Sequence, residues 1–348
     1  MFAHALAARG AGRVLLTGWS RHVDRCAAAL AMVAAVLWSG YLPVDPLSRW
    51  FSSAVLEEAA EPARSPERAR QRSDEAAASP YSPRETVVSF YAGAPWYYRS
   101  NVHLTRSDGT DIDLKALGWD GDALYFPIDG GIRSIHWAGP FGFMVDFLHN
   151  KAIARLGKGA HGRKLKDGVI ETVDAAGSLK GQPAPPRLKL TDLFDRLEFT
   201  HGHNVLLFNG MARLGALGPR IRPYVGIGGG IAVPHVEVWF AGENRANRTN
   251  EYQYAGPAAQ ALLGLELRVG RVSYYLEYKF TYAWLSGALT GDSSWLNFNM
   301  PGDMWRQFSR WWTGTEPQYG RFSTQLGAHQ IVAGAGYAWP RATPTPAP

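Results

Sequence analysis

The stretch Arg271 to Trp284, RVSYYLEYKFTYAW, alternates without a fault. Side chains of an extended strand repeat every two residues, so Val272, Tyr274, Leu276, Tyr278, Phe280, Tyr282 and Trp284 share one face, and Ser273, Tyr275, Glu277, Lys279 and Thr281 share the other. The apolar face is aromatic at both ends and aliphatic near the middle, and it is long enough to cross a bilayer obliquely. That is the pattern of a transmembrane β-barrel strand with aromatic girdles at both interfaces. An open sheet edge cannot survive in hydrocarbon, so the chain must hold enough such segments to close a barrel.

Eight segments qualify: 86–95, 130–138, 140–151, 203–214, 220–233, 254–269, 271–284 and 324–339. The second is mixed on both faces from Gly131 to Trp137 and is assigned by position. Three connections are tight (Ala138 to Pro140, Gly215 to Pro219, and Gly270) and four are long (96–129, 152–202, 234–253 and 285–323), in strict alternation. Short periplasmic turns and long extracellular loops alternate in this way in outer-membrane barrels. The predicted fold is therefore all-β: an eight-stranded antiparallel up-and-down barrel over 86–339, in the outer membrane of a Gram-negative cell. A hairpin signal, Ser107-Asp-Gly-Thr110, lies inside the first long connection and is expected to prolong the first two strands beyond the membrane.

With 348 residues and 46% hydrophobic content the chain can hold one large domain or two small ones. A mean hydropathy of -0.19 excludes a helical membrane bundle, but alternation hides the apolar content of barrel strands. The single cysteine, Cys26, excludes a disulfide framework and any cysteine metal site. Residues 26–44 carry no charge and follow Arg13, Arg21 and Arg25. Residues 1–54 therefore read as an export signal, with a weak small-residue site at Ser52-Ser-Ala54, or as a membrane anchor. The Ala/Pro/charged stretch 55–85 is too poor in large apolar residues to build a core and reads as a disordered linker, and 340–348 is a short Pro-rich tail. The net charge of +6 is not gathered into a basic-aromatic motif, so no nucleic-acid partner is expected.

The strand directions bring histidines and carboxylates from separate loops to the outer end. His149 closes the third segment, Glu198, His201 and His203 precede the fourth, and His235 and Glu237 follow the fifth. Neutral imidazoles with a carboxylate suit a divalent metal, for which His149, Glu198, His201 and His203 are the candidate ligands. A His-Glu pair equally suits a base and its orienter. In an extended segment His201 and His203 point the same way. Alternation turns Asp146, Arg213, Arg222, Glu266, Arg268, Glu277 and Lys279 into the lumen, which eight strands fill with side chains, so no pore is expected. Glu266, Arg268, Arg213 and Arg222 read as a plug near the periplasmic end. Glu277, Lys279 and Gln260 lie higher and are candidates for catalysis. The second long connection carries Lys151, Arg155, Lys158, Arg163, Lys164 and Lys166, suited to anionic head groups, and the last carries Trp295, Trp305, Trp311 and Trp312, which interfacial anchoring explains.

Several motifs then follow in a distinctive order: Gly118-Trp-Asp-Gly121, Phe141 to Ala152 (FGFMVDFLHNKA), Arg196 to Asn204 (RLEFTHGHN), Pro223 to Gly228 (PYVGIG), Pro234-His-Val-Glu237, Glu251 to Gln260 (EYQYAGPAAQ) and Glu277 to Thr281 (EYKFT). Together, over about 86–339, they resemble the outer-membrane lipid A oxidase family of alphaproteobacteria. The resemblance implies an eight-stranded barrel enzyme that oxidises the proximal glucosamine of lipid A to 2-aminogluconate, with dioxygen as co-substrate and release of peroxide. The motif positions with the topology make Glu277, Lys279, His235, Glu237 and Gln260 the candidate catalytic set and Lys151, Arg155 and Trp119 the candidate substrate contacts. Such an oxidation calls for a redox metal or an organic cofactor. No nucleotide-binding glycine motif is present, so neither a flavin nor a nicotinamide is expected. The expected partners are lipopolysaccharide and the barrel-assembly machinery, and the last strand ends at Trp339 with nine residues to follow. The alternatives are a non-enzymatic surface barrel and a lipid A deacylase or acyltransferase, which needs a Ser/His pair beside an acyl slot.

Overall fold

The structure is a computed structural model, described here for residues 81–293, 299–315, 317 and 319–340. The expected signal or anchor (1–54), most of the expected linker (55–80) and the tail beyond 340 lie outside the described residues. Residues 81–85, expected as the end of a disordered linker, are instead ordered: β1 begins at Arg84, and Tyr81 and Glu85 are buried, because the arginines of the ring interior supply partners that the local composition does not reveal. Sixteen strands form one sheet: β1 (Arg84–Tyr97), β2 (Ser100–Thr105), β3 (Asp111–Leu117), β4 (Trp119–Asp120), β5 (Gly130–Ala138), β6 (Phe141–Ala154), β7 (Thr172–Leu179), β8 (Gln182–Pro183), β9 (Arg187–Lys189), β10 (Phe194–Arg213), β11 (Ile221–Ala232), β12 (His235–Phe240), β13 (Thr249–Tyr252), β14 (Gly256–Val269), β15 (Val272–Leu289) and β16 (Gly320–Pro340). Among the described residues there are also two α-helices, α1 (Leu190–Leu193) and α2 (Met300–Thr313).

Eight strands, in the order β1-β5-β6-β10-β11-β14-β15-β16, close on themselves through β1–β16, every pairing antiparallel. The sequence reading located all eight and the alternation of tight and long connections. Beyond the expected hairpin strands β2 and β3 it missed six shorter strands built into the long connections, and β10 starts at Phe194 rather than at residue 203. The sequence-weak segment β5 is held in register by both neighbours, from Arg84↔Ala138 to Ala138↔Phe141. The first hairpin is present, with its role altered: β2 pairs with β16, and β3 pairs with β7 from the second long connection instead of prolonging β5.

Along β15 the alternation continues unbroken but its chemistry inverts. Ser273, Tyr275, Glu277, Lys279 and Thr281 point into the ring, followed on the same side by Ala283, Leu285 and Leu289. Outward lie Leu276, Tyr278 and Trp284, all exposed, joined around the ring by Phe90 (66% exposed) and Ile227 (73%). Above the ring, at the end carrying the long connections, an apolar core forms inside, including Leu104, Leu114, Phe199, Val236, Leu285 and Phe322.

The ring interior is filled. At the turn end, Arg268 grips Glu85 with bonds of 2.9 and 3.0 Å, Arg213 reaches Glu85 at 2.5 Å and Arg268 reaches Glu266 at 2.7 Å. Tyr81 lies under Arg213, Arg222 and Arg268, 4.2–5.0 Å from ring centroid to guanidinium. This is the expected plug. Above it Arg133 holds both oxygens of Glu277, to which Tyr224 also donates at 3.0 Å, and Lys279 meets Asp146 at 2.6 Å. Higher still, Asn150 and Gln330 exchange amide bonds. Buried charge in low dielectric requires such pairing.

Candidate active site on the outer wall of the loop end

Beyond the ring, β6, β10, β12 and β13 continue as a wall with two chemistries. Leu197, Phe199, Val236 and Val238 face the apolar core. The opposite face carries Glu198, Glu237, His235 and Tyr252, set by the pairings Glu198↔Glu237 and His235↔Tyr252.

A bulge in β10 between Phe199 and His203, with Gly202 at φ +124°, decides where the two histidines go. In a regular strand residues two apart share a face; here three residues of β10, Thr200 to Gly202, stand opposite the single Lys151 of β6, and this excess turns His201 away from the side that Phe199 and His203 keep. His203 turns toward Tyr97 and Phe199, with ring centroids 6.1 and 6.4 Å away. His201 packs between His161 at 4.3 Å and His235 at 4.6 Å. The expectation that both imidazoles point the same way is thus corrected. Gly202 is indispensable twice over, since L residues rarely adopt its φ and a Cβ would strike the Asn204 side chain. Gly202→Ala should destabilise the fold by about 1–3 kcal/mol, read as a lowered urea midpoint.

His161 comes from a 3-10 turn, Ala160–Gly162, in the second long connection and adopts φ +56°. Arg196 donates to its carbonyl at 2.9 Å, holding this left-handed residue in place. The same guanidinium binds Glu237 Oε1 at 2.5 Å and lies 3.7 Å from Glu198 Oε1. Thr200 donates to Glu198 at 2.9 Å, and Tyr252 donates through its hydroxyl to the His201 carbonyl at 3.1 Å.

Two carboxylates directly opposite one another repel when both are charged. Burial, and then the neighbouring Glu237, hold the Glu198 carboxyl well above its usual range, so the pair carries a proton between them. Burial pushes His235 and His201 down to about 3, the latter also through His235, so both imidazoles are neutral at pH 7. Among the described residues neither ring nitrogen of His235 has a hydrogen-bond partner, although the residue is fully buried. Because unfolding releases these rings to an ordinary histidine pKa near 6.5, the stability that depends on their staying neutral is fully present above pH 6.5. It is lost as pH falls toward 3. The urea midpoint should fall over that interval, and less steeply in His235→Leu.

Among the proposed catalytic residues, His235 and Glu237 come together here. Glu277 and Lys279 do not: they form closed ion pairs inside the ring, and Gln260 bonds Thr281 at 3.3 Å in the same interior. Of the proposed metal ligands, Glu198 and His201 join the cluster, His203 faces the interior, and His149 bonds Asn204 at 2.8 Å. Among the described residues no group of three or more His, Cys, Asp or Glu side chains is arranged to hold a metal ion. The expected four-ligand shell is not assembled. Of the substrate contacts, Lys151 is buried against Asp129 at 2.5 Å, and Trp119 is a core residue donating to Ser100 at 2.8 Å. Arg155 is paired with Asp120 and Glu171. His161, Arg196, Thr200 and Tyr252 escaped the sequence-based site list. Arg196, Thr200 and Tyr252 lay in quoted motifs, while nothing in the sequence around His161 announces its role.

No family model matches the chain. No curated protein matches it either. Among solved structures it is similar to Neisserial surface protein A (NspA), at 8% identity, covering 73% of this chain and 96% of that one with a TM-score of 0.30. That score is too low to carry an argument. The class rests on the chain's own geometry, a closed antiparallel ring with an exposed apolar exterior and a buried histidine-carboxylate face at its loop end.

Proposed function

We propose that the chain is an outer-membrane β-barrel enzyme that oxidises the proximal glucosamine of lipid A to 2-aminogluconate with dioxygen. The membrane reading is supported by the band from Tyr274 to Trp284. Ten residue steps at about 3.3 Å, tilted about 45°, span roughly 23 Å, close to the apolar height of such barrels. The short turns then face the periplasm and the wall stands outside the cell. The exposed aromatic pair Tyr337 and Trp339 near the end of β16 suits delivery by the barrel-assembly machinery.

One observation carries the functional reading. The histidine-carboxylate face continues the outward apolar face of β6 and β10, from Phe143, Val145 and Phe147 up to His149, and from Phe208 and Leu206 up to His201. A glycolipid of the outer leaflet lying there sets its acyl chains beside the phenylalanines and its glucosamine at the level of the imidazoles. The exposed loop Leu124-Tyr-Phe-Pro-Ile128 flanks the same place, with Tyr125 5.7 Å from His161. Such an exposed apolar patch marks a contact surface.

The reaction itself is taken from the order of motifs that resembles lipid A oxidases. The anomeric carbon loses its hydrogen and its hydroxyl proton with two electrons, dioxygen accepts them as hydrogen peroxide, and water opens the resulting lactone to the acid. The Glu198–Glu237 pair takes the hydroxyl proton, Arg196 fixes Glu237, and His235 offers a neutral nitrogen to the sugar.

Mass spectrometry of lipid A from cells with and without the gene tests the reading. A gain of one oxygen on the disaccharide supports it. A lost acyl chain replaces it with deacylation, and an unchanged lipid A replaces it with a non-enzymatic surface barrel.

A further inference from the structure

Helix α2 is amphipathic in the wrong sense for a soluble surface. Asp303, Arg306, Gln307 and Arg310, at the spacing i, i+3, i+4 and i+7, face the protein. Arg306 bonds Asp303 at 2.7 Å and Glu251 at 3.2 Å, Arg310 bonds Glu251 at 2.7 Å, and Asp303 accepts from the Tyr252 amide at 2.9 Å. The Gln307 amide exchanges bonds with the Tyr254 backbone at 2.7 and 2.9 Å. The opposite stripe is left exposed: Trp305, Phe308, Trp311 (74%) and Trp312 (76%), with Phe308 within 6.0 Å of the other three rings. A surface helix of a soluble protein buries its apolar stripe. Here ion pairs pin the polar stripe down and the aromatic stripe is turned out.

We infer that α2 is an interfacial helix whose aromatic stripe seats in the outer leaflet of the membrane that the barrel crosses. Continuity with the girdle commits the surface to lipid. Tyr254, which Gln307 grips, precedes β14, and Ser286 donates its amide to Ala255 two residues beyond the girdle residue Trp284. The helix therefore stands at the level where the outward face changes from aromatic to Ser286 and Ala288. Between helix and wall lies a groove of about 420 Å³ lined by Tyr254, Ser286, Ala288, Arg310, Trp311 and Arg321. Its lining joins the cationic side chain of Arg321 to the aromatic rings of Tyr254 and Trp311, a composition suited to an anionic head group and its acyl chain. Tryptophan favours that interface, and an amphipathic helix lies in its plane with the apolar side down. Seating also bears on the site, because Asp303 fixes Tyr252, whose ring packs 4.7 Å from His235.

The inference rests on the barrel standing in the outer membrane, not on the reaction. The test labels single cysteines with a nitroxide in a Cys26→Ser background, reconstituted in vesicles of phosphatidylethanolamine and lipopolysaccharide. The positions are Phe308→Cys and Trp312→Cys on the helix, Leu276→Cys on the ring and Lys189→Cys on an exposed loop strand. Accessibility to oxygen relative to a water-soluble nickel complex should be several-fold higher at 308, 312 and 276 than at 189. Values at 308 and 312 equal to 189, with 276 high, overturn the helix inference alone. A low value at 276 overturns the membrane reading beneath it. Spin–spin broadening at 312 that vanishes on dilution with unlabelled protein overturns the inference in favour of a second copy.

Discussion

Under the proposed oxidation of lipid A, His235→Leu is expected to lower that activity on the order of 100-fold or more, the contribution typical of a positioned acid-base group, while raising the stability of the fold by about 1 kcal/mol. A buried polar group without a partner costs about 1–3 kcal/mol. Among the described residues both nitrogens of the His235 ring are in that state, between the rings of His201 and Tyr252. Leucine is close in volume and removes the unmet polarity. A purely structural histidine would behave oppositely, losing stability on replacement. The measurement is the oxidised fraction of lipid A by mass spectrometry beside the urea midpoint of the same variant. Undiminished oxidation, or a clear loss of stability, would remove His235 from the site.

Arg133→Ala should destabilise the barrel by about 3–5 kcal/mol, because it strands the Glu277 carboxylate in a sealed interior. Arg133 binds both oxygens of that carboxylate and lies 3.6 Å from the centroid of the Tyr275 ring, so one truncation removes an ion pair and a cation–π contact together. The double replacement Arg133→Met with Glu277→Leu should recover most of the loss, since apolar residues of similar volume replace buried pairs well. Unfolding midpoints in urea, followed by the shift between folded and unfolded barrel on gels, read both. If the double variant keeps the proposed oxidation of lipid A at the level of the unsubstituted chain, Glu277 is a structural residue. That outcome is expected from its place inside the ring, on the opposite side of the wall from His235.

The alternation of β15 was legible residue by residue, and with it the ring: strand period and the rhythm of tight and long connections depend only on local chemistry and loop length. The turn-end plug of Glu266, Arg268, Arg213 and Arg222 was equally legible, because face parity follows from strand position. The candidate site was legible by halves. His235, Glu237, Glu198 and His201 lie in strands or at their ends, where topology brings them to one end of the ring. Glu277 and Lys279 share that ring, but parity alone does not reveal that Arg133 and Asp146 already hold them.

What the sequence by itself determined is therefore the barrel: which residues face out, which face in, and which end carries the loops. Only the tertiary structure decided which side of the wall each histidine takes. The bulge at Gly202 separates His201 from His203, a left-handed turn delivers His161 from a distant connection, and loop strands make the wall on which Glu198 meets Glu237. Strand period is a property of neighbours in the chain, whereas a bulge and a long-range pairing depend on what the partner strand offers.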